Sequence, residues 1–169
     1  CVIAPVVAID VFYYHLYRFR LFEREASVAE EVTHLVRQAC FVAIVALLAM
    51  GTPCATADRA LLALFAVDLV NSVIEVALEP RSRLGLGGLP RGEYVLHFLG
   101  TFGSCVAAAA YVFERGTEFA PAPVWQVAPM IASGVVLLVV ETGLFVRAIG
   151  RRGVCCSPGG GGTAVTAPS

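Results

Sequence analysis

Five stretches of the chain stay apolar long enough to cross a bilayer. A spanning helix needs about 20 mostly apolar residues, and residues 2–22, 32–50, 57–78, 94–113 and 124–149 meet that requirement. Asp10, His15, Arg18 and Arg20 interrupt the first of them. The polar positions between the stretches read as helix ends. Ser27 followed by Glu30 is a capping-box pattern before the second stretch. Gly51-Thr52-Pro53 closes that stretch, Pro80 is expected to end the third, and Pro90 suits the first turn of the fourth. An Ala-Pro-Ala-Pro run at 120–123 separates the fourth from the fifth. The pattern predicts an all-α polytopic bundle of about five transmembrane helices over residues 1–152. A disordered, Gly-rich cytoplasmic tail is expected over 153–169.

Composition strengthens the membrane reading. Hydrophobic residues make up 58% and charged residues 15%, with a mean hydropathy of +0.79. A soluble domain averages about 45–50% apolar and about 25% charged. A 169-residue chain has too little interior to hide the difference, so the lipid bilayer is the expected partner. The net charge of −1 offers no broad basic surface, and nucleic acid is not an expected one. No CxxC pair occurs among the six cysteines, which excludes a zinc ribbon or a thioredoxin motif.

Arginine position predicts orientation. Arg18, Arg20 and Arg24 flank the first loop, Arg81, Arg83 and Arg91 fill the third, and Arg147, Arg151 and Arg152 follow the last helix. Loops two and four carry only Arg59 and Arg115, each beside an acid. A multi-pass protein of the cell (bacterial inner or plasma) membrane is expected, with the N-terminus outside and the C-terminus in the cytoplasm.

The two halves repeat. Asp10, Arg24, Ser27, Glu30 and His34 are echoed by Asp68, Arg81, Ser82, Glu93 and His97. Each half is an inward helix with an Asp, an Arg/Ser loop and an outward helix that starts Glu-x-x-x-His. Two helical hairpins related by an axis along the membrane normal, plus one extra helix, would read this way.

Ionisable groups inside a membrane helix are costly and usually face the bundle interior. Here the candidates for a metal site are His15, Glu30, His34, Glu75, Glu93, His97 and Glu141. Counted from the cytoplasmic helix ends at about 1.5 Å per residue, the three histidines fall very roughly 10 Å deep. Asp10 and Asp68 come out deeper. Glu30/His34 and Glu93/His97 are i,i+4 pairs that share a face. Asp10 and His15 come out about 140° apart at ~100° per residue, so one of them is expected to serve a different neighbour.

This set resembles the ligand pattern of di-iron carboxylate bundles, which use carboxylates from two helices and Glu/His pairs from two others. It departs from that pattern in spacing. Glu31-Val-Thr-His34 matches Glu-x-x-His, but the second half has no equivalent. A mononuclear site of His15, His34, His97 and one Glu fits the depth count better. A transition metal, Fe or Zn, suits those donors. The expected function is a metal-dependent membrane enzyme acting on a lipid-soluble substrate. Three alternatives stay open: a b-type haem electron carrier with His34 and His97 as axial ligands, a transporter or proton pathway, and a non-catalytic membrane subunit. Gly100 and Ser104 form a small-xxx-small pair suited to helix contact in a homo-oligomer.

Overall fold

A computed structural model of the chain describes residues 3–51, 54–83, 86–88, 90–114 and 121–155. The described chain is all-α. Helix α1 (Ile3–Ile9) continues without a break into a π-helix over Asp10–Arg18. Two short 3-10 turns, Leu21–Glu23 and Glu25–Ser27, lead into α2 (Val28–Ala49). Then come α3 (Ala55–Ser82), α4 (Arg91–Glu114) and α5 (Val124–Cys155). Four of these, α2 with its leading turn, α3, α4 and α5, are long and apolar enough to cross a membrane. The first helix packs beside them as a fifth.

The helices close a ring. α1 packs on α4, α4 on α3, α3 on α2, α2 on α5, and α5 returns to α1. The α1–α4 and α3–α2 contacts cross between the two repeated halves, and α5 lies between α1 and α2.

The burial pattern is inverted relative to a water-soluble globule. Among the described residues, eighteen polar or charged side chains are buried against eight hydrophobic ones. Meanwhile Val67, Val70, Val73, Phe98, Phe102 and Val139 lie on the outside. In water this would expose many apolar side chains while desolvating charges. In lipid both placements follow from the solvent. A modest apolar cluster of Ile44, Leu61, Phe65 and Tyr111 packs α2, α3 and α4 away from the polar end.

The helices overrun the apolar stretches at the end where α2 and α4 begin and α3 and α5 finish. Pro80 does not stop α3. The helix continues to Ser82, with the Arg83 amide bonded to the Glu79 carbonyl at 3.1 Å. A proline removes one N–H bond and crowds the preceding turn, a cost the helix bears here because just two more residues follow before it ends. The capping box does not form either. Ser27 makes no side-chain cap bond, and Glu30 is drawn to Arg83 instead, because a buried guanidinium is a stronger partner than a backbone amide. Residues 156–169, most of the expected tail, lie outside the described residues. Gly153 to Cys155, also assigned to it, belong to α5.

Gly134 sets the α2–α5 approach. A Cβ there would fall 2.7 Å from Val42 Cγ2 and 3.3 Å from Phe41 Cδ1, whereas one on Gly100 meets nothing within 4 Å. Gly134→Val is therefore expected to cost about 1–3 kcal/mol by overpacking, while Gly100→Ala stays within about 0.5 kcal/mol of the parent. Thermal unfolding in detergent reads both, and equal melting points would contradict the packing.

Candidate metal centre

The extra turns at the polar end bring the chemistry together. His15 comes from the π-helix, His34 from the second turn of α2 and His97 from the second turn of α4. Their ring centroids form a compact triangle: 4.1 Å for His15–His34, 5.8 Å for His15–His97 and 5.8 Å for His34–His97. All three rings are buried, and one nitrogen of each lies within 4.8 Å of those of the others.

The π-helix overturns the expectation for Asp10. Its i→i+5 hydrogen-bond pattern, seen in the 3.0 Å bond from the Phe19 amide to the Tyr14 carbonyl, widens the turn so that residues five apart share a face. Asp10 and His15 therefore point the same way, with Oδ2 3.8 Å from Nε2. Asp10 Oδ2 also lies 2.9 Å from His97 Nε2. Asp10 is level with the imidazoles and not deeper in the bundle. Asp68 does stay apart from them and faces Arg37 at 3.8 Å.

Carboxylates surround each ring. Glu93 Oε1 lies 3.4 Å from His15 Nε2, and Glu31 Oε1 lies 3.7 Å from His15 Nδ1. Glu75 Oε1 is 3.1 Å from His34 Nε2, and Glu30 Oε1 is 3.9 Å from the same nitrogen. Glu79 pairs with His97 Nδ1. Three groups have donor atoms close enough to share an ion: His15/His34/His97, Asp10/His15/Glu93/His97 and Glu75/Glu79/His97. His97 belongs to all three. Of the sequence candidates, His15, His34, Glu75, Glu93 and His97 fall inside these groups. Glu30 and Glu141 stand just beside them, Glu30 bonded to Arg83 at 2.8 Å and Glu141 accepting from Gln38.

Sequence reasoning missed Asp10 and Glu79 as donors, and Arg37, Gln38 and Arg83 as supports. Glu79 was within reach of the pattern: Asp68, Asn71, Ser72, Glu75, Glu79 and Ser82 make one buried polar stripe on α3. Following the helical period one turn past the apolar stretch would have found it. Arg83 gave no such signal, because in sequence it is one of several loop arginines. In the fold its guanidinium is sequestered between Glu30 and Glu93. Burial opposes the charge on Arg83, but Glu30 and Glu93 outweigh it and hold the pKa above the ordinary arginine value.

The charge balance is lopsided. Among the described residues, Asp10, Glu30, Glu31, Asp68, Glu75, Glu79, Glu93 and Glu141 are buried, and the cations paired with them are Arg37 and Arg83. With neutral histidines the eight acids exceed the two arginines by six charges; with three imidazolium rings the excess is still three. Several buried donor atoms have no protein hydrogen-bond partner, including His15 Nδ1 and Nε2, His34 Nε2, both Glu31 oxygens and Glu93 Oε2. Buried charges without compensation are expensive, and a set of orphaned nitrogen and oxygen donors around a common point is what a metal cation stabilises.

Removing Arg83 should expose that imbalance. Arg83→Gln leaves Glu30 and Glu93 facing one another and is expected to cost about 3–5 kcal/mol. Adding Glu93→Gln should restore part of the loss, since one surplus charge goes with it. Thermal unfolding of the single and double variants measures the coupling, and strictly additive losses would contradict the ion triad. No family model matches this chain, and neither a curated protein nor a solved structure matches it.

Proposed function

We propose that this chain is a membrane-embedded, metal-dependent enzyme whose His/carboxylate centre acts on a lipid-soluble substrate. One observation carries the reading: three imidazoles and several carboxylates converge in a buried layer with far more negative than positive charge. Asp10, His15, Glu93 and His97 form the four-donor set best suited to a first ion. Glu79 would orient the His97 ring from its other nitrogen, as carboxylates do for metal-bound histidine. Imidazole and carboxylate donors suit zinc or iron. Either would act as a Lewis acid on an oxygen-bearing group or lower the pKa of bound water. Glu31, whose oxygens accept no hydrogen bond and whose Oε1 lies 3.7 Å from His15 Nδ1, would take a proton from such a group.

The haem alternative fits less well. A bis-histidine haem needs its macrocycle to spread around the iron between His34 and His97. His15 lies 4.1 Å from one ring and 5.8 Å from the other, and Asp10, Glu75 and Glu79 press on the same two rings. The polar end carries Arg81, Arg91, Arg147 and Arg151, so by the positive-inside rule the centre would lie on the cytoplasmic side.

Purified protein should contain metal in stoichiometric amount by elemental analysis. His97→Ala and Asp10→Asn should each reduce affinity by at least about 10–100-fold, the range known for removing even supporting partners. The absorption spectrum should lack haem bands. Metal-free wild-type protein prepared in metal-replete medium would defeat the proposal.

Cys54 tests orientation. It is exposed at the opposite end of the bundle, just before α3. Hydrogen bonds from the Ala57 and Thr56 amides lower its pKa below the ordinary thiol value, so the reactive thiolate persists to lower pH than in a free thiol. In a variant with Cys1, Cys155 and Cys156 changed to Ser, a membrane-impermeant maleimide should label Cys54 in intact cells. Labelling that requires lysis would reverse the topology.

A further inference from the structure

A second feature lies directly behind the polar layer. A cavity of about 210 Å³ runs between α2, α3, α4 and α5, walled by Phe41, Ile44, Phe65, Met130 and Leu137. It exceeds the ~150 Å³ apolar cavities known to take up benzene. It exists because α4 and α5 do not pack on one another to any extent and because the α4 wall is made of small residues. Gly100, Ser104 and Ala107 line it at helical spacing, so the small-xxx-small pair read from the sequence faces this cavity. From Arg37 to Leu48 on α2 the lining spans twelve residues, roughly 16 Å of helix. The shape is long, narrow and greasy.

One end is different. Arg37, Gln38 and Asp68 form a polar floor, and two of them reach straight into the centre. Arg37 is 2.7 Å from Glu75 Oε2 and also bonds Ser72, while Gln38 donates to Glu141. A molecule lying in the cavity would thus put its hydrocarbon tail toward the far membrane face and its head one side chain from the candidate metal donors. The charge of that head is constrained as well. The Arg37 cation is already shared by Glu75 and Asp68, and carboxylates outnumber cations throughout the layer beyond. Among the described lining residues Arg37 is the cation and is already engaged, so an anionic head would face like charge. A neutral hydroxyl can donate to Asp68 or accept from Gln38 or Arg37.

We infer that this cavity binds the tail of a neutral, single-chain amphiphile of the long-chain alcohol type and presents its oxygen to the His/carboxylate centre. The identity of the centre's chemistry rests on the metal-enzyme reading, while occupancy of the cavity does not.

The test uses metal-replete, full-length protein in phosphatidylcholine nanodiscs and a long-chain alcohol carrying a diazirine in its chain. Photolabelling mapped by mass spectrometry should concentrate on Phe41, Ile44, Met130 and Leu137. Hexadecan-1-ol should compete at concentrations about tenfold lower than hexadecanoate, or lower still, given the penalty for juxtaposed like charges. Ala107→Phe fills the cavity and should abolish this labelling without changing metal stoichiometry. Gly100→Leu, at a position with open space around a Cβ, is the second variant should the first not fold. Labels spread over outward-facing residues such as Val67, Phe102 and Val139, indifferent to either substitution, would overturn the assignment. Equal or better competition by the carboxylate would overturn the neutral-head part of it. Cavity labelling in a protein that binds no metal would keep this inference and remove the metal reading; scattered labelling with metal bound would do the reverse.

Discussion

Eight acidic side chains held out of water in and beside a layer of three imidazoles create the electrostatic problem that organises this bundle. Two arginines answer part of it. Arg83 sits between Glu30 of α2 and Glu93 of α4, and Arg37 of α2 reaches Asp68 and Glu75 of α3. Each joins two or three helices, so the ion pairs act as ties between segments as well as local neutralisation. In a medium of low dielectric such ties are strong only while complete, because an unpartnered charge there has no water to fall back on. The remaining negative charge has to be met by protons, by a cation or by both. Under the proposed reading, a transition-metal ion would meet it while using the orphaned donors already in place.

The lipid environment explains why the centre sits where it does. A helix core packed with carboxylates would be a liability in a water-soluble domain of this size, since it leaves little apolar interior. Here the outside is the apolar phase. Valines and phenylalanines face outward, and the interior is free to be polar. The apolar cavity behind the polar layer has the opposite character, and the two meet at Arg37, Gln38 and Asp68. The lining therefore changes from one like the bilayer to one carrying charge within about one side-chain length.

The π-helix shows how a local irregularity decides a site. A run of α-helix from Ile3 to Arg18 would turn Asp10 away from His15. The i→i+5 turn aligns them and delivers both to the face shared with Glu93 and His97. π-helical segments are rare and recur at functional sites. This one costs backbone geometry and gains two donors from a single helix. The same layer ties the two halves of the chain together, since Asp10 meets His97 and Glu75 meets His34.

Hydrophobic patterning alone determined that the chain is helical, that it is built for lipid, and which residue types had to turn inward. Those properties follow from transfer free energies that every residue carries regardless of its neighbours. Helical period likewise put Glu30 with His34 and Glu93 with His97 on common faces. The tertiary structure decided the rest. It chose the π register that recruits Asp10, carried α3 past Pro80, set Glu79 against His97, and turned Arg83 from a loop charge into the partner of two buried acids. It also drew the Glu30 carboxylate across to Arg83 and away from the start of its own helix. These outcomes depend on which helices stand next to which, and electrostatic pairing across a bundle has no period along the chain to reveal it.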